Sequence, residues 1–293
     1  MGGPEIAQFL LAGIMNGAIY ALVALGFCLV EASTKIVNFT QGDFLTLGGM
    51  VMFSLLNQAH LPYPLAFALT IVTVAGVGFL LERLALRPAR SKDVLTLVFI
   101  TIGASIFLRG IIKLTWGKEP HSLPGLPGGE AISLLGATTS AQGLWILAIT
   151  GAIVLGLHLF FSRSLWGKAI RAVASNRQAA SLVGIPVSLM IAGSFALAGA
   201  LGAAAGVLIT PITTVSFDTG VVIGLKGFAA AVLGGYGHFG GAILGGIVLG
   251  VSETIAAGFI SSALKDAIAF VVLLLVLFFR PQGLLGALPS ERA

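Results

Sequence analysis

The run IAQFLLAGIMNGAIYALVALGFCLV, Ile6–Val30, carries no charged side chain from end to end. About 20 apolar residues cross the hydrocarbon core of a bilayer, so the run is long enough to span it. Gly13 and Gly17 stand in it at GxxxG spacing, which lets a second helix approach backbone to backbone. The stretch lacks a basic leading segment and continues far beyond the length of a signal-peptide core, so it does not read as a cleavable signal. The lone cysteine, Cys28, lies inside the same run and supports neither a disulfide framework nor a metal cluster.

The rest of the chain repeats this pattern. Hydrophobic residues make up 57% of the 293, charged residues 9%, and there are 40 glycines. With a mean hydropathy of +1.05, an ordinary soluble domain is excluded. The expected fold is a single all-α polytopic membrane domain over residues 1–293, with glycine-rich packing and about eight to nine transmembrane segments. The net charge of +5 does not point to nucleic acid, because the cations sit in short loops between apolar runs.

Further spans are expected at Leu65–Leu86, Val94–Ile112, Gly143–Phe161, Pro186–Thr210, Thr219–Gly234, Gly240–Ile260 and Ala267–Phe279. Arg109 stands near the end of its span, where it is expected to snorkel. The polar connection Lys113–Gln142 includes the Pro/Gly-rich Ser122–Gly129. Between the first and second spans, IVNFTQGDF (Ile36–Phe44) interrupts the apolar pattern with Asn38, Thr40, Gln41 and Asp43. Thr40 and Asp43 fit a helix start, opening a helix from Gln41 to about Asn57. Two readings stay open here: a broken helix beside a solute path, or a loop at the membrane surface.

Cations set the expected orientation. Arg83, Arg87, Arg90 and Lys92 cluster after one span, and Arg163, Lys168, Arg171 and Arg177 after another, with Arg280 and Arg292 at the end. The loop between these clusters holds only Lys113 and Lys118. Both basic loops and the C-terminus are therefore expected in the cytoplasm, which gives nine segments an external N-terminus, or eight with one segment re-entrant. Trp116 and Trp145 then mark the outer interface and Trp166 the inner one.

Catalytic groupings are missing from the sequence. It contains no GxxxxGK[ST], GxSxG or HExxH, and its four histidines show no ligand spacing, so no enzyme, cofactor or metal is expected. Glu253 falls within a span, where it either lines a path or bonds a neighbouring helix. Asp218, Lys226, Lys265 and Asp266 are expected near the interfaces. The basic interval SLWGKAIRAVASNRQAASLVGIP, Ser164–Pro186, reads as two short helices. Trp166, Ile170, Val173 and Ala174 share one face of the first, and Lys168, Arg171 and Ser175 the other. Asn176 caps the second, Gly184 ends it, and Pro186 opens the next helix. The pair suits either insertion into a partner's groove or an amphipathic linker lying on lipid.

GKAIRAVASNRQAASLVGI, Gly167–Ile185, resembles the cytoplasmic loop of branched-chain amino acid ABC transporter permeases of the Liv type. NGAIYALVALGF (Asn16–Phe27), NFTQGDFLTLGG (Asn38–Gly49), ITIGASIFLRG (Ile100–Gly110), GLKGFAAAVLGGYGHFGGAILGG (Gly224–Gly246) and SSALKDAIAFVVLLLVLFFRPQGLLG (Ser261–Gly286) extend the resemblance in order along the chain. The family's EAA-x3-G contact motif maps onto Gln178, Ala179, Ala180 and Gly184, with neutral Gln178 in the acidic position. Gln41 stands where the family often carries histidine. The resemblance implies an importer in a bacterial inner membrane, built from two permease subunits, two cytoplasmic ATPases and an external solute-binding protein. It further implies that residues 164–185, with Arg171, Asn176, Gln178, Ala179, Ala180 and Gly184, couple the chain to those ATPases. Asn38, Gln41, Asp43 and Glu253 are the candidates to line the translocation path. The rival expectation is an ATP-independent channel or secondary transporter.

Overall fold

A computed structural model describes residues 3–91, 93–126, 132–134, 137–259, 261 and 264–286. Lys92, Arg292 and the end of the Ser122–Gly129 segment lie outside these residues. The described chain is built from helices α1 (Gly3–Thr34), α2 (Gln41–Asn57), α3 (Tyr63–Leu81, prolonged by a π-helical turn Glu82–Leu86), α4 (Val94–Trp116), α5 (Ala141–Arg163), α6 (Leu165–Ser175), α7 (Arg177–Leu182), α8 (Val187–Thr213), α9 (Thr219–Gly234), α10 (Phe239–Phe259) and α11 (Lys265–Phe279). Six of them, α1, α3, α4, α5, α8 and α10, are long and apolar enough to cross a membrane. The other three candidate segments, α2, α9 and α11, are shorter, at 17, 16 and 15 residues.

The sequence reading missed one element. The polar connection after α4 folds in part into an antiparallel hairpin, β1 (Ile132–Leu134) with β2 (Ala137–Thr139). It is tied to the start of α1, where the Gln8 side chain donates to the Thr138 carbonyl at 2.7 Å and accepts from the Thr138 amide at 2.8 Å. Pro211 also lies inside α8 rather than in the turn after it, because the helix continues to Thr213 before Thr214 takes a φ of +61°.

Helix α1 is the hub. From Gly17 to Val30 it is buried in the bundle, whereas α4 and α5 leave most of their surface outside it. It packs on α8, α9 and α10 along most of its length and on α5 and α6 beside them. Lipid tails are as apolar as leucine side chains, so burial alone does not drive this association, and close packing must. The glycines permit it. A Cβ added at Gly13 would fall 2.6 Å from Val251 Cα, and one at Gly17 2.7 Å from Ile247 Cα. From the other side, a Cβ at Gly246 would meet the Ala21 amide at 2.6 Å, and one at Gly250 would collide with the Gly17 backbone. The same device seats α2 on α8, where Gly202 faces Phe44 and Gly206 faces Leu45. Each atomic contact is worth only ~0.1–0.2 kcal/mol, so stability comes from their number.

The connections assort to two ends of the bundle. At one end, the α7 residue Arg177 reaches the end of α1 at Ser33, and the amides of Leu284 and Leu285 bond the carbonyls of Leu233 and Gly234 at 2.9 and 3.0 Å. At the other end, His121 and Val215 pair through reciprocal 2.8 Å backbone bonds.

Gly250→Val is expected to destabilise the protein by ~1–3 kcal/mol by forcing α1 and α10 apart. The same change at Gly76, where a Cβ meets nothing within 4 Å, should leave stability nearly unchanged. Thermal unfolding in detergent, followed by loss of monodisperse protein, compares the two.

Candidate functional site

Helices α6 and α7 follow the expected punctuation. Ser164 Oγ accepts from the Gly167 amide at 2.9 Å and caps α6, and Asn176 Oδ1 accepts from the Ala179 amide at 3.0 Å and caps α7. Gly184, at φ +82°, turns the chain out of α7, and Pro186 precedes α8. The amphipathic face is displaced from the expected one. Gly167, Ile170 and Val173 are buried, while Trp166 is 56% exposed beside Leu165. In the first turn of α6 it is Gly167 that packs against the Phe160 carbonyl and Phe161 Cα.

Of the residues expected to couple to a partner, Arg171, Asn176, Gln178, Ala179 and Gly184 are exposed. Ala180 is instead buried at 3% and belongs to the main core, so it seats α7 on the bundle. Leu182 and Val183 project outward from the end of α7. Arg177 was read only as a positive charge. Its guanidinium turns inward and donates to the Ser33 carbonyl through Nε at 3.1 Å and through Nη2, fastening α7 to the last turn of α1.

From Ser33 the chain re-enters the bundle. Lys35, at φ +61°, ends α1 and pairs with Glu31 at 3.5 Å, as their spacing indicates. Residues 36–40 then run without helical structure to α2, and Asn38, Thr40 and Gln41 are completely buried. Gln41 lies against Gly26, about 12 Å along α1 from Thr34 at ~1.5 Å per residue, and its amide donates to the Ala198 carbonyl at 3.0 Å. The segment is thus packed between α1, α4 and α8 rather than lying outside them. Thr40 occupies the N-cap position without capping, because its hydroxyl donates to Asn38 Oδ1 instead. Asn38 Nδ2 and Gln41 Oε1 are buried without a hydrogen-bond partner among the described residues.

Two cations that sequence reasoning placed elsewhere are paired in the interior. Arg109 does not snorkel. It sits about 10 Å inside α4 by helical rise, its Nε 3.4 Å from Asp43 Oδ1 and its Nη2 3.3 Å from Ser105 Oγ. Lys226 is not interfacial but buried in α9, with Nζ 2.7 Å from both Glu253 Oε1 and Asp266 Oδ1. Tyr20 donates to Glu253 Oε2 at 2.7 Å. Glu253 is therefore committed to a junction of α1, α9, α10 and α11, which favours its structural reading over the path. Both cations were legible as charges far from a helix end, where a partner is obligatory.

Asp43 and Arg109 instead border a cleft of about 150 Å³ whose other walls include Phe27, Phe39, Ser105 and Phe228. Its floor is set by α2 and α9, which cross at Gly42, Gly220 and Gly224 so closely that a Cβ on Gly42 or Gly220 would strike the opposing carbonyl.

Comparison with known families matches residues 9–277 to one described as "Branched-chain amino acid transport system / permease component". The chain is 35% identical over 305 residues to the high-affinity branched-chain amino acid transport system permease protein BraD of Pseudomonas aeruginosa, covering 99% of both chains. It is 34% identical over 300 residues to LivH of Salmonella typhimurium, a protein of the same description, covering 97% of both. A more distant similarity, 30% over 278 residues, joins it to the autoinducer 2 import system permease protein LsrC of Escherichia coli, with 90% of this chain and 76% of that protein covered.

Lys226→Met strands the Glu253 carboxylate and is expected to cost ~3–5 kcal/mol. The double variant Lys226→Met with Glu253→Gln removes both charges and should recover most of that loss. A double-mutant cycle on thermal stability in detergent measures the difference.

Proposed function

The chain belongs to the family of branched-chain amino acid transport permeases, and on that premise we propose that it forms half of the membrane pathway of a binding-protein-dependent importer. Its partners are two cytoplasmic ATPases, a second permease copy or paralogue, and an external solute-binding protein. The observation that carries this reading is the α6–α7 pair. It exposes Leu165, Trp166, Lys168 and Arg171 on α6 and Leu182 and Val183 at the end of α7, while Arg177 ties it to α1. Exposed apolar side chains interspersed with cations suit insertion into a groove on a soluble partner. A self-contained channel has no use for a rigid outboard handle joined to its central helix.

The mechanism is alternating access driven from that handle. Closure of the ATPases displaces α6 and α7. Arg177 transmits the displacement to Ser33, and Ser33 passes it through Lys35 to the buried segment 36–41. That segment precedes Asp43 directly, so movement at the docking face reaches the Asp43–Arg109 cleft through a few residues of chain. Such a chain of contacts has two arrangements only if both ends are held, which the caps of α7 and the ion pair provide. The unpaired atoms Asn38 Nδ2 and Gln41 Oε1 support placing segment 36–41 beside the solute path, since a backbone break in a membrane persists where protein or a water-filled cavity can satisfy it.

In this reading α2, α9 and α11 cross the membrane with the six longer helices, and α2 is the broken crossing. The clustering of the α6–α7 pair, Ser33 and residues 284–285 at one end then supports a cytoplasmic C-terminus and an external N-terminus. The neutral Gln178, exposed on α7, leaves shape and hydrogen bonding rather than charge for the contact with the ATPase.

Proteoliposomes holding the chain with its second permease subunit and ATPases should take up radiolabelled L-leucine only with ATP inside and the loaded binding protein outside. Uptake by the chain alone without ATP would overturn the proposal. Gly184→Glu, where an added Cβ meets nothing within 4 Å but φ is positive beside the docking face, should reduce ATPase co-purification and uptake at least tenfold while membrane insertion persists. Arg177→Gln should keep the ATPases bound and hydrolysing but lower solute moved per ATP.

A further inference from the structure

We propose that the cleft bordered by Asp43 and Arg109 is a transient binding site for the zwitterionic head of an α-amino acid, with the aromatic wall receiving its apolar side chain. The inference rests on the permease reading and adds to it a place where the permease itself recognises cargo.

The two interior ion pairs differ in how much bonding capacity they hold in reserve. Lys226 is engaged on two sides at 2.7 Å, and Glu253 accepts from Lys226 and Tyr20 at the same distance, so both charges are held by short contacts within the chain. Asp43 and Arg109 make a single 3.4 Å approach between Oδ1 and Nε. A guanidinium presents a planar fork that matches a carboxylate through two parallel bonds, and this contact does not use that fork. The Asp43 side chain is 3% exposed and that of Arg109 32%, so the carboxylate is the deeper group and the guanidinium the one nearer entry.

An α-amino acid carries one carboxylate and one ammonium on adjacent carbons. Inserted at the pair, its carboxylate meets Arg109 and its ammonium meets Asp43, with Ser105 Oγ, 3.3 Å from Arg109 Nη2, within the same cluster. The exchange replaces one ion pair with two and leaves no charge unpaired, the condition for carrying a zwitterion through hydrocarbon. Phe27, Phe39 and Phe228 supply an apolar wall, and Phe228 holds an edge-on contact to Phe27 at 5.6 Å between ring centroids. The volume, about 150 Å³, equals that of an apolar protein cavity able to admit a six-carbon ring, which is room for a branched side chain of three or four carbons. The single long contact predicts weak, quickly reversible binding, as a pathway requires if solute is to leave it.

The test uses the complete complex of permeases and ATPases in nanodiscs, without binding protein, so that any selectivity belongs to the membrane subunits. Saturation-transfer NMR is recorded with L-leucine, with 4-methylpentanoate, which lacks the ammonium, and with 3-methylbutylamine, which lacks the carboxylate. Leucine should bind at least about tenfold better than either analogue, because each leaves one member of the pair without a charged partner. Equal signals from all three would overturn the site. In proteoliposomes, the double variant Asp43→Asn with Arg109→Gln removes both charges together and so avoids stranding either one. Assembled complex with leucine uptake reduced at least tenfold supports the proposal, and uptake at the wild-type rate overturns it alone. Failure of the wild-type assembly to move leucine overturns the cargo reading and this inference with it.

Discussion

The buried ammonium of Lys226 fixes how the second half of this molecule can be put together. A charge inside an apolar bundle has no water to fall back on, so its partners must come from the protein. Here they come from α10 through Glu253 and from α11 through Asp266, while Tyr20 of α1 closes the other side of Glu253. Four helices meet at one cluster, and none can slide along its neighbour without breaking a short bond. The glycine ladder between α1 and α10 brings the backbones close enough for that cluster to form. Packing and polar satisfaction are therefore one constraint, since α1 would stand too far from Glu253 if Gly17 or Gly250 carried a larger side chain.

The other interior pair stands under the opposite condition. Asp43 and Arg109 meet at a break in the helical order, beside a cleft, through one long contact. A cluster of short ionic contacts joins four helices, and a longer one lies beside the cleft. The fastening of α7 to Ser33 joins the exposed handle to this loose region rather than to the Lys226 cluster. The handle and the Asp43–Arg109 contact are thus joined through Ser33 and the buried segment 36–41.

Much of this was legible in the residues. Apolar run lengths located the helices, and Ser164, Asn176, Gly184 and Pro186 marked the α6–α7 pair because capping chemistry is local. Glu31 and Lys35 are legible as a pair from their i,i+4 spacing alone. The partners of Arg109 and Lys226 were not, because they lie on helices distant in sequence and a single sequence carries no register between them. The hairpin after α4 escaped for a related reason: its strands are three residues each, too short to show alternation, and are anchored by Gln8 from the far side of the chain. Trp166 was assigned to the wrong face because periodicity describes a helix in isolation, whereas its neighbour Gly167 is pressed against the end of α5.

The length of α1 has a mechanical side. Its 32 residues extend about 48 Å, against a hydrocarbon core of about 30 Å, so the helix must lean or project beyond the bilayer. Its glycine crossing with α10, at Gly13 and Gly17, lies in its first half. Ser33 stands about 24 Å along the axis from Gly17, at the end of a long lever. A change of tilt of about 5° there would sweep Ser33 through about 2 Å, a shift comparable to those at subunit interfaces in allosteric proteins. Small rotations at the glycine crossing and sizeable strokes at the handle are then the same motion read at two radii.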